Sequence, residues 1–444
     1  MKASPSRGKR KQVVDSQRHE TPTEITAHEK RAQPLSDEQL LDLLQRQTFR
    51  YFWEGAHPKS GLAFDRRHRR ADDPDTPVSM AGSGFGAMAV IVACERGWVS
   101  REQALARLTV MLECLEKATC YHGMYPHFMR GDTGATVPFS RKDDGADLVE
   151  TSLLFQGLLC VRAYFDRDVP EEKRLRERIG WLWQEAEWNW FTQAGRKVLT
   201  WHWSATNGFA INHEIRGWNE CLITYVLAAS APRYPVAPEV YHEGWAMSRD
   251  FINRRPYEGV ELPLGPPWGG PLFLAHFSFC GLDPRGLNDR YADYSQQNVH
   301  HTRINYAYCV RNPHHYKGYG PDSWGLSAGD TPGGYDAHSP ENDRGVITPA
   351  AALSSFVYTP QEAMAALRHF YQDLGDRIWG RFGFVDGFSE QQGWYADTYV
   401  AISQGPIIAM IENYRSALLW KLFMGIPEIQ TGLKLLGFRS PHFA

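Results

Sequence analysis

A chain of 444 residues, 43% hydrophobic and 22% charged, has ordinary globular composition and enough length to bury a large core. Its formal net charge of -3, with no long run of one sign, excludes the basic stripe of a nucleic-acid binder. No apolar run is long enough to span a membrane, and seven scattered cysteines without a Cys-x-x-Cys pair point to free thiols rather than a disulfide framework or zinc site.

Residues 1–34 are polar and basic, with no apolar stretch or cleavage site of a secretory signal. That predicts a disordered tail and, as the sequence stands, a cytoplasmic protein, with a periplasmic location as the alternative. A regular region then runs over residues 35–444 as one domain. It begins with a helix cap at Ser36-Asp37-Glu38, followed by Leu40, Leu41, Leu43, Leu44, Phe49, Phe52 and Trp53. Further helices are predicted over 82–96, 100–118, 146–165, 171–187, 217–230, 238–250, 286–309, 361–373 and 405–424. Roughly ten to a dozen helices, joined alternately by short turns and long loops, suggest an all-α fold of helical hairpins arranged in a ring. The long loops are rich in Trp, Tyr, His, Gly and Asp, the wrong composition for disorder, so they are read as the walls of a binding cleft.

The segment 140-SRKDDGADLVETSLLFQGLL-159 carries the densest chemical signal. Asp143, Asp147 and Glu150 fall on one helical stripe and Asp144 lies beside it. Helix capping accounts for one or two such acids. The downstream helix, however, is apolar nearly all round and therefore buried, so Glu150 needs a partner or a task. Carboxylates packed together raise at least one pKa, which suits a general acid or base. Farther on, Glu220 opens the apolar run LITYVLAA after a loop holding Trp201, His202, Trp203 and Trp218. With the first group it supplies the two carboxylates of glycoside hydrolysis, which in inverting enzymes stand about 6.5–9.5 Å apart.

The strings GSGFGAMAVIVACERGWVSR, DDGADLVETSLLFQGLL, WHWSATNGFAINHEIRGWNE, DPRGLNDRYADYSQQNVHH and SQGPIIAMIENYRSALLW closely resemble the glycoamylase-like domain family, glycoside hydrolase family 144, from about Leu40 to Phe438. The resemblance implies a single (α/α)6 barrel that hydrolyses β-1,2-glucan with inversion. It implies an acidic site at Asp143, Asp147, Glu150 and Glu220, with Glu220 as general acid. An enzyme meeting an extracellular or periplasmic glucan would ordinarily carry an export signal, which is why the location stays open.

His127 in YPHF and His202 in WHW suit sugar contacts better than metal ligation. The pairs His300-His301 and His314-His315 share no helix face, and no metal or other cofactor is expected. Arg66, Arg67, Arg69 and Arg70, followed by Asp72, Asp73 and Asp75, read as a solvated loop, although Asp65 could reach sugar hydroxyls. Trp203, Trp218, Trp268, Trp324 and Trp394 are candidate stacking platforms. Glu412 is read as a buried partner of Arg415. The expected partner is an oligo- or polysaccharide. The rivals are a transglycosylase, an exo-acting sophorose-releasing enzyme, a non-catalytic glucan-binding module, and a polysaccharide lyase using His301, Arg303 and Tyr306.

Overall fold

Two kinds of helix alternate along the chain, and their residue patterns explain why. The computed structural model describes residues 35–70, 73 and 75–443; the expected tail over residues 1–34 and Asp72 lie outside them. In order the α-helices are α1 (Asp37–Trp53), α2 (Met80–Glu95), α3 (Arg101–Lys117), α4 (Leu148–Tyr164), α5 (Pro170–Glu185), α6 (Leu222–Ser230), α7 (Tyr294–Arg311), α8 (Pro349–Leu353), α9 (Pro360–Gln372), α10 (Gly375–Ile378), α11 (Ala401–Ser416), α12 (Leu418–Met424) and α13 (Pro427–Leu435).

Helices α1, α3, α5 and α9 are amphipathic. In α3 the buried residues are Ala104, Leu108, Met111, Leu112 and Leu115, one stripe at helical spacing. Ser36 and Ser100 close capping boxes with Gln39 and Gln103, and Pro170 starts α5 where its missing N–H costs nothing. Helices α2, α4, α6 and α11 are apolar almost all round and buried along most of their length. Helix α2 packs on both α4 and α11, and α4 also packs on α6. The α2–α4 crossing is close because Gly84 and Gly157 meet there. A Cβ on Gly84 would stand 2.2 Å from the Leu153 carbonyl oxygen, and one on Gly157 would stand 2.0 Å from that of Gly84.

Strands are short and gather into separate two- or three-stranded sheets among the described residues. Several sit immediately before buried helices: 78–79 before α2, 146–147 before α4 and 398–400 before α11. Among the described residues no helix is long and apolar enough to cross a membrane.

The predicted boundaries shift in four places. Residues 217–221 form a turn in which Asn219 accepts from the Cys221 N–H, so α6 starts at Leu222. The helix expected over 238–250 starts at 238 but continues as a wide π-helix over Val240–Ala246 and ends there. The helix expected from 286 starts at Tyr294, where Asp293 caps it by accepting from the Gln296 N–H at 2.9 Å. The helix expected over 405–424 begins at Ala401 and breaks at Ala417, which has φ 57°. Glu412 pairs with Arg96 at 2.8 Å rather than with Arg415, which turns to Glu38 and Gln45.

Candidate active site

The starts of the buried helices are tied together by backbone bonds. The Met80 N–H donates to the His127 carbonyl, Asp147 N–H to Tyr125, Leu148 N–H to Trp201 and Ala401 N–H to Asp65. Strand pairing sets Asp147 opposite His202 and Ala146 opposite Trp203. The polar side chains at these positions therefore share one end of the buried helices.

Asp147 caps α4. Its Oδ1 accepts from the N–H groups of Val149 and Glu150 at 3.0 and 2.9 Å, and its Oδ2 meets His127 Nδ1 at 3.0 Å. The other imidazole nitrogen stands 3.8 Å from Glu150 Oε1, while Glu150 Oε2 accepts from the Ala81 N–H at 2.7 Å. His202 Nε2 lies 3.4 Å from Asp143 Oδ2 and 3.9 Å from Asp147 Oδ2.

These contacts sort the charges. Burial alone would raise Asp147, but the His127 hydrogen bond and the two imidazoles hold it below the usual aspartate value. Burial would lower His127, yet Glu150 and Asp147 outweigh it and lift the imidazole to about 10. Desolvation and the neighbouring Asp147 push Glu150 to about 7 and Asp143 to about 6. Burial lowers His202.

Glu220 closes the turn before α6, half-buried, with its backbone carbonyl accepting from Ser278 Oγ. Desolvation, with the Asp147 charge adding to it, raises its carboxyl to about 7. Glu220 therefore lies within electrostatic reach of Asp147, although some seventy residues separate them in sequence.

The structure adds acids that sequence patterning missed. Arg66 Nε lies 3.4 Å from Asp65, and its NH1 lies 3.3 Å from Asp330. Asp330 Oδ2 also accepts from Thr398, and the Asp330 N–H donates to Asp386 Oδ2 at 2.7 Å. Desolvation and Asp330 raise Asp386 to about 7. Asp65, raised by burial, acts electrostatically on both His127 and Glu150 and so joins the two groups. The expected solvated arginine loop is accordingly a short strand: Arg66–His68 pairs with Thr398–Val400. Asp330 and Asp386 stand alone in unremarkable strings, 264 and more residues from Arg66, so no local spacing could reveal them.

Other candidates fall on either side of usefulness. Asp144 is half-buried beside the group, with one carboxyl oxygen lacking a partner. Trp203 is half-buried, its ring 4.7 Å from His122. Trp268 and Trp394 are half-buried too, the former 5.0 Å from Tyr257 and the latter paired across a hairpin with Ser389. Two expectations are corrected. Trp218 is 4% exposed among Trp245, Phe251 and Tyr294, and Trp324 is fully buried with its indole N–H donating to Glu362; neither offers a face to a ligand. His301, considered as a lyase base, is buried against the Gly270 carbonyl and lowered by burial to about 4. Asp143, Asp147 and His202 each offer one donor atom, all within 4.8 Å of one another, and could hold a cation. The oxygens of Asp147 are already engaged by N–H groups and His127.

Carboxyls shifted in opposite directions near the starts of buried helices have the properties that general acid–base chemistry needs. Residues 212–427 match the Glycoamylase family model, described as "Putative glucoamylase". A solved Bacteroides uniformis structure with the same description is 55% identical, covers 93% of this chain and 100% of its own, and superposes with a TM-score of 0.91. The endo-β-1,2-glucanase of Chitinophaga pinensis, solved with sophorotriose and glucose, is 50% identical over 92% of this chain and 100% of its own, with a TM-score of 0.90. An exo β-1,2-glucooligosaccharide sophorohydrolase (non-reducing end) of Parabacteroides distasonis is 42% identical over 90% of this chain, which spans 58% of that relative's length. The chain belongs to the glycoamylase-like family, glycoside hydrolase family 144.

Proposed function

We propose that the chain is a glycoside hydrolase that cleaves β-1,2-glucan to short oligosaccharides such as sophorose, by inversion, with residues 35–444 forming one (α/α)6 catalytic domain. The observation that carries this reading is the contrast between Glu220, raised to about 7, and Asp147, held below its usual value and close enough for its charge to act on Glu220. Glu220 gives its proton to the glycosidic oxygen as the bond to the anomeric carbon breaks. A carboxylate across the pocket takes a proton from the attacking water.

Asp143 fits that second role best. Asp147 has both oxygens occupied, and Glu150 has one oxygen on the Ala81 N–H and is itself raised to about 7. The Asp143 carboxylate stands 3.4 Å from the His202 imidazole, and its value of about 6 leaves it largely ionised at neutral pH. His127, positively charged between Asp147 and Glu150, keeps the buried negative charge in balance.

The test is incubation with linear β-1,2-glucan, with β-1,3- and β-1,4-glucans as controls, following reducing ends, product size and anomeric configuration. Release of short β-1,2-linked products with the α-anomer formed first supports the proposal. A β-anomer contradicts inversion, unsaturated products indicate a lyase, and disproportionation without net reducing ends indicates transfer. The product ladder also separates internal cleavage from stepwise sophorose release.

A further inference from the structure

Two large aromatic side chains stand open to solvent beside the acid groups, and the acid–base chemistry uses neither. Phe139 is 58% exposed. Its ring centroid lies 4.7 Å from that of His127 and 5.7 Å from that of Phe128, and its N–H donates to the Asp143 carbonyl. Tyr335 is 46% exposed. It lies on the hairpin of strands 328–331 and 334–337, directly across from Asp330.

Each residue is fastened to a different part of one acid row. Phe139 rests on the imidazole that bridges Asp147 and Glu150. Tyr335 adjoins Asp330, which Arg66 connects to Asp65. Desolvation, then Asp386, Asp65 and Asp330, raise the Tyr335 phenol above its ordinary value, so part of this half-exposed side chain is enclosed beside these acids. Tyr335 also lines a narrow cleft shared with Phe273, Phe277 and Ser403.

A ring face beside carboxylates matches the chemistry of a pyranose: apolar C–H groups on one face and hydroxyl donors around the edge.

We propose that Phe139 and Tyr335 are sugar-stacking platforms at the two sides of the acid row, so that the bound glucan extends past the scissile bond in both directions. This rests on the glycoside hydrolase reading above and adds the residues that grip the flanking rings. The hairpin carrying Tyr335 then forms one wall of the cleft, with Asp330 and Asp386 below it.

Binding separates this proposal from the reaction. The glutamine variant E220Q and its doubles with F139A and Y335A are titrated calorimetrically with β-1,2-linked glucose oligomers of two to five units, and with β-1,3- and β-1,4-linked series. The expected result is that each alanine change weakens the longest bound oligomer by about tenfold or more. Phe139→Trp and Tyr335→Phe should restore binding, and the disaccharide should respond to only one of the two alanine changes. The platforms are overturned if both alanine variants bind whichever series the parent binds within about twofold of the parent. Binding of only a β-1,3 or β-1,4 series removes the linkage assignment, and the two platforms are then judged on that series. Binding of none of the three removes both proposals. Circular dichroism matching the parent shows that the variants are folded.

Discussion

Asp147 and Glu220 are both desolvated carboxyls at the start of a buried apolar helix, yet they titrate in opposite directions. Asp147 has two backbone N–H donors, a hydrogen bond to His127 and the charge of two imidazoles. Glu220 has no cation among the causes of its shift, and the charge of Asp147 pushes it the same way as burial does. Burial therefore does not decide protonation; the partners do. The same kind of position yields opposite shifts because Asp147 has an imidazole partner and two backbone donors, while Glu220 has a backbone hydrogen bond but no cation among the causes of its shift.

The comparison breaks most sharply at Glu220. Glu220→Gln should lower kcat by about 10³-fold or more while leaving oligosaccharide binding near the parent's, measured by turnover and calorimetry. The same change should raise stability above pH 7. The folded carboxyl is raised from 4.5 to about 7, so its ionisation costs the folded state progressively as pH rises between those values, and Gln removes the cost. The expected gain is about 1–3 kcal/mol at pH 8 and close to none at pH 4, by denaturant unfolding.

Asp143→Asn should lower kcat by about 10²–10³-fold. An equal loss in Glu150→Gln with Asp143→Asn near parent activity would transfer the water-activating role. His127→Gln tests the other half of the contrast. It leaves Asp147 without its cation, and is expected to destabilise the protein by about 3 kcal/mol at pH 7. That cost should shrink as pH falls and Asp147 protonates, because a depressed carboxyl lends stability only above its unfolded value. The smallest effect is on the shape of the pH profile. kcat/KM should be bell-shaped, rising as Asp143 ionises near 6 and falling as Glu220 ionises near 7, with its maximum between.

Local signals in the sequence were enough for one half of the candidate site. The stripe of Asp143, Asp147 and Glu150 is visible because all three belong to the start of one helix, and the all-round apolar run behind them announced burial. Glu220 was visible by its place before another such run. Asp330 and Asp386 were not, because their significance comes from Arg66, brought to them by pairing between strands far apart in sequence. Trp218 and Trp324 misled for the opposite reason: a tryptophan in a Gly/Pro-rich loop reads as a platform, whereas long-range packing buries these two. The alternation of amphipathic and wholly apolar helices was legible. The late start of α6 and the break at Ala417 depended on turn geometry that single residues do not reveal.

The protonation of Glu220 can be observed without any substrate. Carbon-13 NMR of protein labelled at glutamate side-chain carboxyls, with the Glu220 resonance assigned by its loss in Glu220→Gln, gives its midpoint across pH 4 to 9. A midpoint near 7 is expected; a midpoint at the ordinary glutamate value would remove Glu220 as the proton donor at neutral pH and contradict the account.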